Sequence, residues 1–129
     1  MKSFILINTL ILSTLSFAQT KLYQGDVYQA AAKESFKLEL TITKDNKYLV
    51  NYPEEGCNGE LKFIKEDEFG FLHFKENIIK GKEVCQDGLN VYLIYTDESK
   101  KVINFKEEQS EAEDDFFRTI GELTLKENK

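Results

Sequence analysis

Between Phe36 and Thr43 apolar and polar residues alternate strictly. Phe36, Leu38, Leu40 and Ile42 fall on one face, and Lys37, Glu39, Thr41 and Thr43 on the other. A period of two is the pattern of a strand with one buried and one wetted face, as in an antiparallel sheet. The same criterion predicts seven further strands, over 20–28, 48–52, 60–65, 69–79, 89–96, 101–106 and 116–125. Short runs rich in Asp, Asn, Gly and Lys separate most of them, among them Lys44-Asp45-Asn46-Lys47, Gly56-Cys57-Asn58-Gly59 and Asp87-Gly88. Such runs are turn signals. Gln29 to Ser35, with three alanines, reads as a loop or a single helical turn.

Strands following one another through short loops, with no long helical period, predict an all-β chain. The expected architecture is a small antiparallel barrel of about eight strands in meander order, with a β-sandwich as the alternative. Closure favours the barrel, because it removes sheet edges that this chain has little else to cover. Gly25, inside the first strand, marks a bulge or a close backbone crossing.

The pattern also predicts pairings. A three-residue loop sets Ile42 opposite Val50 and Leu40 opposite Tyr52, keeping apolar against apolar. Pro53 then ends the strand, since it cannot donate to a ladder. In the next hairpin Leu61 is expected opposite Phe74 and Phe63 opposite Leu72. That register leaves Ile64 opposite Phe71 and Lys62 opposite His73 on the other face. Ile64 and Phe71 become a candidate contact patch, and His73 a surface residue.

The first eighteen residues change the picture of where the domain works. Lys2, the apolar run from Phe4 to Leu15 and Ser16-Phe17-Ala18 together read as a secretory signal. The run is shorter than the roughly 20 residues needed to span a bilayer. It is not followed by the cysteine of a lipid-anchored protein. A buried N-terminal helix is the alternative, disfavoured by the polar turn after Ala18. The expectation is an exported protein, periplasmic or secreted, with one β-domain over 19–129. Its two cysteines then predict a bridge between Cys57 and Cys85. In the chain-entropy account such a bridge contributes about 3.6 kcal/mol. Two free buried thiols are the alternative. A zinc site would need two more soft ligands, and His73 is the single histidine.

Net charge is −6, or −7 once the signal and its lysine are removed. Without a basic stripe, such a chain repels phosphate, which disfavours nucleic acid and anionic membrane surfaces as partners. The acidity suits a basic partner. One histidine offers little for nucleophilic catalysis. The 23 acidic residues fall mainly at turns and outward positions, and no pair stands out for glycosidase chemistry. The polar run from Glu107 to Asp115 lacks the spacing and the glycine of a calcium loop. It reads as a solvated loop, with Glu111, Glu113, Asp114 and Asp115 as candidate contacts. No catalytic residue, cofactor or metal is expected, and the protein is expected to be a monomer. Tyr23, Tyr28, Tyr48, Tyr92 and Tyr95 are strand residues that could also line a barrel mouth.

Tyr52-Pro53, Cys57-x-Gly59-x-Leu61, Phe74-x-Glu76-x-Ile78, Gly81, Cys85 and Asp87-Gly88 together resemble a family of small bacterial extracytoplasmic β-modules. Tyr23-x-Gly25 and Gly121-x-Leu123 extend the resemblance to about residues 22 to 125. Members occur alone behind a signal peptide or joined to larger signalling proteins, and the family carries no assigned chemistry. The resemblance implies structural roles for the cysteines, glycines and proline. Glu76 is the exception: it would point out of the sheet or into a polar end of the barrel, and is a candidate contact.

The expected function is therefore a non-catalytic exported module that binds a protein, a glycan or a small ligand. The alternative is an inhibitor or immunity-type protein that blocks an extracytoplasmic enzyme such as a lysozyme-like hydrolase. An apolar cavity would favour a small ligand, and a filled barrel with an acidic protruding loop would favour inhibition. Inward carboxylates in a cluster would favour an enzyme.

Overall fold

The computed structural model describes residues 19–30, 32–108 and 119–128. Residues 1–18, read from the sequence as a secretory signal, and the acidic residues Glu111, Glu113, Asp114 and Asp115 lie outside the described residues. Eight strands follow in order: β1 (Lys21–Gln29), β2 (Glu34–Ile42), β3 (Tyr48–Tyr52), β4 (Cys57–Glu66), β5 (Leu72–Lys80), β6 (Asn90–Tyr95), β7 (Val102–Glu108) and β8 (Thr119–Asn128). Each pairs antiparallel with the next, and β8 pairs with β1 to close the barrel. The meander barrel, not the sandwich, is the architecture, and Cys57 and Cys85 form its disulfide.

The alternation read from the sequence becomes inside and outside. Tyr23, Leu38, Leu40, Val50, Leu61, Phe74, Ile78, Leu93, Phe105 and Leu123 fill the interior. The outward positions of the same strands carry Lys37, Lys62, Lys75, Asn77 and Glu122. An apolar interior with a charged exterior is the reverse of a transmembrane barrel. Among the described residues no helix is long and apolar enough to cross a membrane.

Closure depends on Gly25. A Cβ there would lie 1.9 Å from the carbonyl oxygen of Glu122 on β8. Of the two expectations for this glycine, the close backbone crossing is the one realised. On the facing strand, a Cβ on Gly121 would lie 2.6 Å from the Asp26 carbonyl oxygen.

Two registers differ from expectation, each by two residues. Ile42 pairs with Tyr48 and Leu40 with Val50, so five residues lie between Ile42 and its partner rather than the expected seven. Thr43 explains the difference. Its N–H donates to the Lys47 carbonyl (2.9 Å), its hydroxyl donates to Asp45 (2.5 Å), and it accepts from the Lys47 N–H (3.0 Å). Asn46 takes a positive φ of 62° to complete the turn, a conformation that asparagine tolerates. In the second hairpin Phe63 pairs with Phe74 and Leu61 with Glu76. Here Asp67 accepts from the N–H groups of Phe69 (2.9 Å) and Phe71 (3.0 Å). Residues 67–71 are thereby held as a turn, and β5 begins at Leu72 rather than Phe69. The register then shifts between Phe63 and Lys65, with Ile64 between them.

Candidate functional site

The barrel has two chemically different ends. At the first, three inward positions carry polar side chains. Glu76 follows Phe74 on the inner face of β5, Glu107 follows Phe105 on β7, and Tyr52 follows Val50 on β3. Glu76 is 2% exposed and Glu107 6%. The Tyr52 hydroxyl donates to Glu76 Oε2 at 2.5 Å and lies 3.3 Å from Glu107 Oε2. Burial, then the neighbouring charge of Glu107, pushes the Glu76 carboxyl up to about 10. It is therefore protonated at neutral pH. Tyr52 is raised well above its ordinary value, first by burial and then by the two carboxyl groups.

The loop after β5 caps this end. Its backbone turns on the Gly81 carbonyl, which accepts from Val84 and Cys85. Asp87 accepts from the Ile78 N–H (2.7 Å), and the Gly88 N–H donates to the Glu76 carbonyl (2.9 Å). The disulfide ties the loop to the first residue of β4. A cavity of about 110 Å³ remains between loop and barrel, lined among others by Glu34, Phe36, Tyr52, Glu55, Glu76, Cys85, Leu89 and Glu107.

The opposite end is open. A cavity of about 480 Å³ lies there, with Ile42, Tyr48, Leu72 and Tyr95 on its walls and Lys21, Lys44, Lys100 and Glu66 around it. Lys100 Nζ stands 5.4 Å from the centre of the Tyr95 ring, and the Tyr23 hydroxyl beneath donates to the Lys100 carbonyl at 2.7 Å. Burial pushes Tyr95 up to about 12, so its hydroxyl remains a donor at physiological pH. Tyr48, raised by burial, behaves alike. Three lysines against one glutamate give this mouth a local positive excess in an acidic chain.

The candidate residues separate accordingly. Glu76 does face a polar end of the barrel. Ile64 and Phe71 do not form the expected pair: Ile64 sits at the register shift, exposed, and the Phe71 ring lies under Lys106 Nζ at 4.9 Å. Phe63 and Phe69 are exposed near the same hairpin tip. His73 pairs across from Lys65, not Lys62; its Nε2 lies 2.8 Å from Asp67 Oδ2 and its ring meets the edge of Tyr92. Glu107 belongs to β7 and to the interior, not to a solvated loop, because the alternation Ile103, Phe105, Glu107 continues one step further than its polarity implies. Tyr52 and Thr119 continue the same inward alternation, from Val50 and from Leu123 and Gly121.

The disulfide agrees with an oxidising compartment. Among the described residues no group of three or more His, Cys, Asp or Glu is placed to hold a metal ion. The chain matches no family model, no curated protein and no solved structure.

Proposed function

We propose that the protein is an exported, non-catalytic binding module whose ligand enters the open mouth of the barrel. The observation that carries this reading is the 480 Å³ cavity, which is mainly polar, with a lysine rim and an apolar strip of Ile42, Tyr48, Leu72 and Tyr95. Its size falls in the range of about 300–1,000 Å³ typical of small-molecule sites. The chemistry fits a small, partly apolar ligand bearing an acidic group: the acid meets Lys21, Lys44 or Lys100, and the apolar part meets Tyr48, Leu72 and Tyr95. The secretory signal and the likeness to small extracytoplasmic β-modules support export.

The inward carboxyl pair raises the enzyme reading but does not favour it. Its cavity, about 110 Å³, falls below the size of a small-molecule site, so it has room for a functional group but not for a sugar ring and its neighbour. Titration with an anionic aromatic probe tests the mouth. Saturable binding weakened by Lys21→Glu and Lys100→Glu supports the proposal, and unchanged binding in both variants contradicts it.

A second reading, inhibition of a basic extracytoplasmic enzyme such as a lysozyme-like hydrolase, draws on the opposite end, where Glu34 and Glu55 join Glu76 and Glu107.

A further inference from the structure

The capped end holds four carboxyl groups around one small cavity, and no lysine or arginine is among its described lining residues. Two of the four, Glu76 and Glu107, are buried against one hydroxyl, that of Tyr52, and Glu76 holds its own proton. Two carboxyl groups offer about eight lone-pair positions. Once Glu76 gives up its proton, the cluster is rich in acceptors and poor in donors. Thr119 adds an independent sign. It pairs across from Glu107 on β7 and from Gln29 on β1, and both of these line the cavity. It is 1% exposed, faces the same interior layer, and its Oγ1 has no hydrogen-bond partner. Buried hydroxyls without partners are uncommon and call for an explanation.

We propose that this cavity receives a single cationic donor group, an ammonium or a guanidinium, between Glu76 and Glu107. An ammonium brings three N–H donors and a guanidinium five, with no acceptor, which is the complement of what the cavity presents. Charge-assisted bonds to carboxylates are also the stronger class. At about 110 Å³ the cavity has room for several waters, and hence for one such head group but not for the body of a larger ligand. The rest of the ligand extends past Glu34 and Glu55. The same head group could come from a free small amine or from a lysine or arginine of a protein partner.

Proton exchange accompanies entry. The charged or titratable groups facing Glu76 are Tyr52 from β3, Glu107 from β7, Glu34 from β2, Glu55 from the β3–β4 turn and Asp87 from the capping loop. Among them a cation replaces the Glu76 proton, so affinity rises as pH rises from acid to alkaline.

The test titrates the protein with n-butylammonium, n-butylguanidinium, butyrate and butanol, followed by backbone amide NMR, and then with a lysine-rich peptide. The cations are expected to shift the amides of Glu76, Leu89 and Glu107, and butyrate and butanol to leave them in place. Glu76→Gln and Glu107→Gln should each weaken binding at least tenfold, while Lys100→Glu at the far mouth should leave it unchanged. Binding of the free amines assigns a small amine as ligand; binding of the peptide alone assigns a protein side chain. The proposal is overturned if neither cation nor peptide moves these amides, or if Glu76→Gln with a native spectrum binds like wild type. The rim variant Glu34→Gln, which cannot disturb the core, should weaken binding severalfold and gives a second check. Because the mouth is probed separately with an anion, failure here leaves the mouth reading standing, and the reverse holds.

Discussion

Tyr52 and Glu76, 24 residues apart in the chain, meet at 2.5 Å inside the barrel, the tyrosine hydroxyl donating to the carboxyl oxygen. The pair brings β3 and β5 together across β4, at a depth where an isolated carboxylate would be costly. Removing the hydroxyl by Tyr52→Phe should cost about 1–3 kcal/mol, because it leaves a buried acceptor without its donor. Denaturant midpoints of the two proteins give that difference directly.

Glu76 also sets a pH dependence. Its carboxyl is raised from 4.5 to about 10, chiefly by burial and then by Glu107. Across that window the folded chain holds a proton that the unfolded chain has lost. The stabilisation is complete below 4.5 and is lost as pH rises toward 10. Stability should fall with pH at up to about 1.4 kcal/mol per unit, and Glu76→Gln should flatten that decline. Asp67 and Asp97 act in the opposite sense. Asp67 is lowered mainly by its bond to His73, and Asp97 mainly by its bond to Ser99, so each stabilises above the ordinary aspartate range and loses its effect in acid. Midpoints measured from acid to alkaline pH on wild type and Glu76→Gln separate the two effects.

The disulfide should matter to both stability and the capped end. Replacing Cys57 and Cys85 by serine is expected to cost about 2–5 kcal/mol. Amide exchange should speed up between Gly81 and Leu89, the loop that the bond secures. Mass spectrometry of the unreduced protein should find no thiol open to alkylation.

Gly25→Ala tests closure. The added carbon meets backbone on β8, not a side chain that could swing away. The variant should lose at least about 2 kcal/mol, toward the upper end of overpacking costs. Gly56→Ala is the contrast in space: a Cβ there meets nothing within 4 Å, and its cost should come from its positive φ alone.

Much of this fold can be read from alternation, as Phe36 to Ile42 shows, because a period of two fixes which face is buried. Absolute register is another matter. Sliding Ile42 from Val50 to Tyr48 keeps every apolar residue inside, so pattern alone does not distinguish the two. The choice is made by the Thr43 and Asp67 side-chain bonds, which bind turns whose length the pattern leaves open. The carboxyl pair is hidden for a different reason. Glu107 continues the inward series of Ile103 and Phe105, yet its charge assigns it to the acidic run that follows. Only the pairing of distant strands shows that Glu76 and Glu107 share Tyr52. The lysine-rimmed mouth is assembled from β1 and from the β2–β3 and β6–β7 connections, and no local stretch announces it.

The most direct test of the binding-module account is fluorescence titration of the purified protein with anilinonaphthalene sulfonate, an anionic aromatic probe, repeated on Lys21→Glu/Lys100→Glu and on Glu76→Gln. The account predicts one saturable site, weakened at least tenfold by the lysine substitutions and unchanged by Glu76→Gln. Absence of saturable binding, or equal binding by all three proteins, would contradict it.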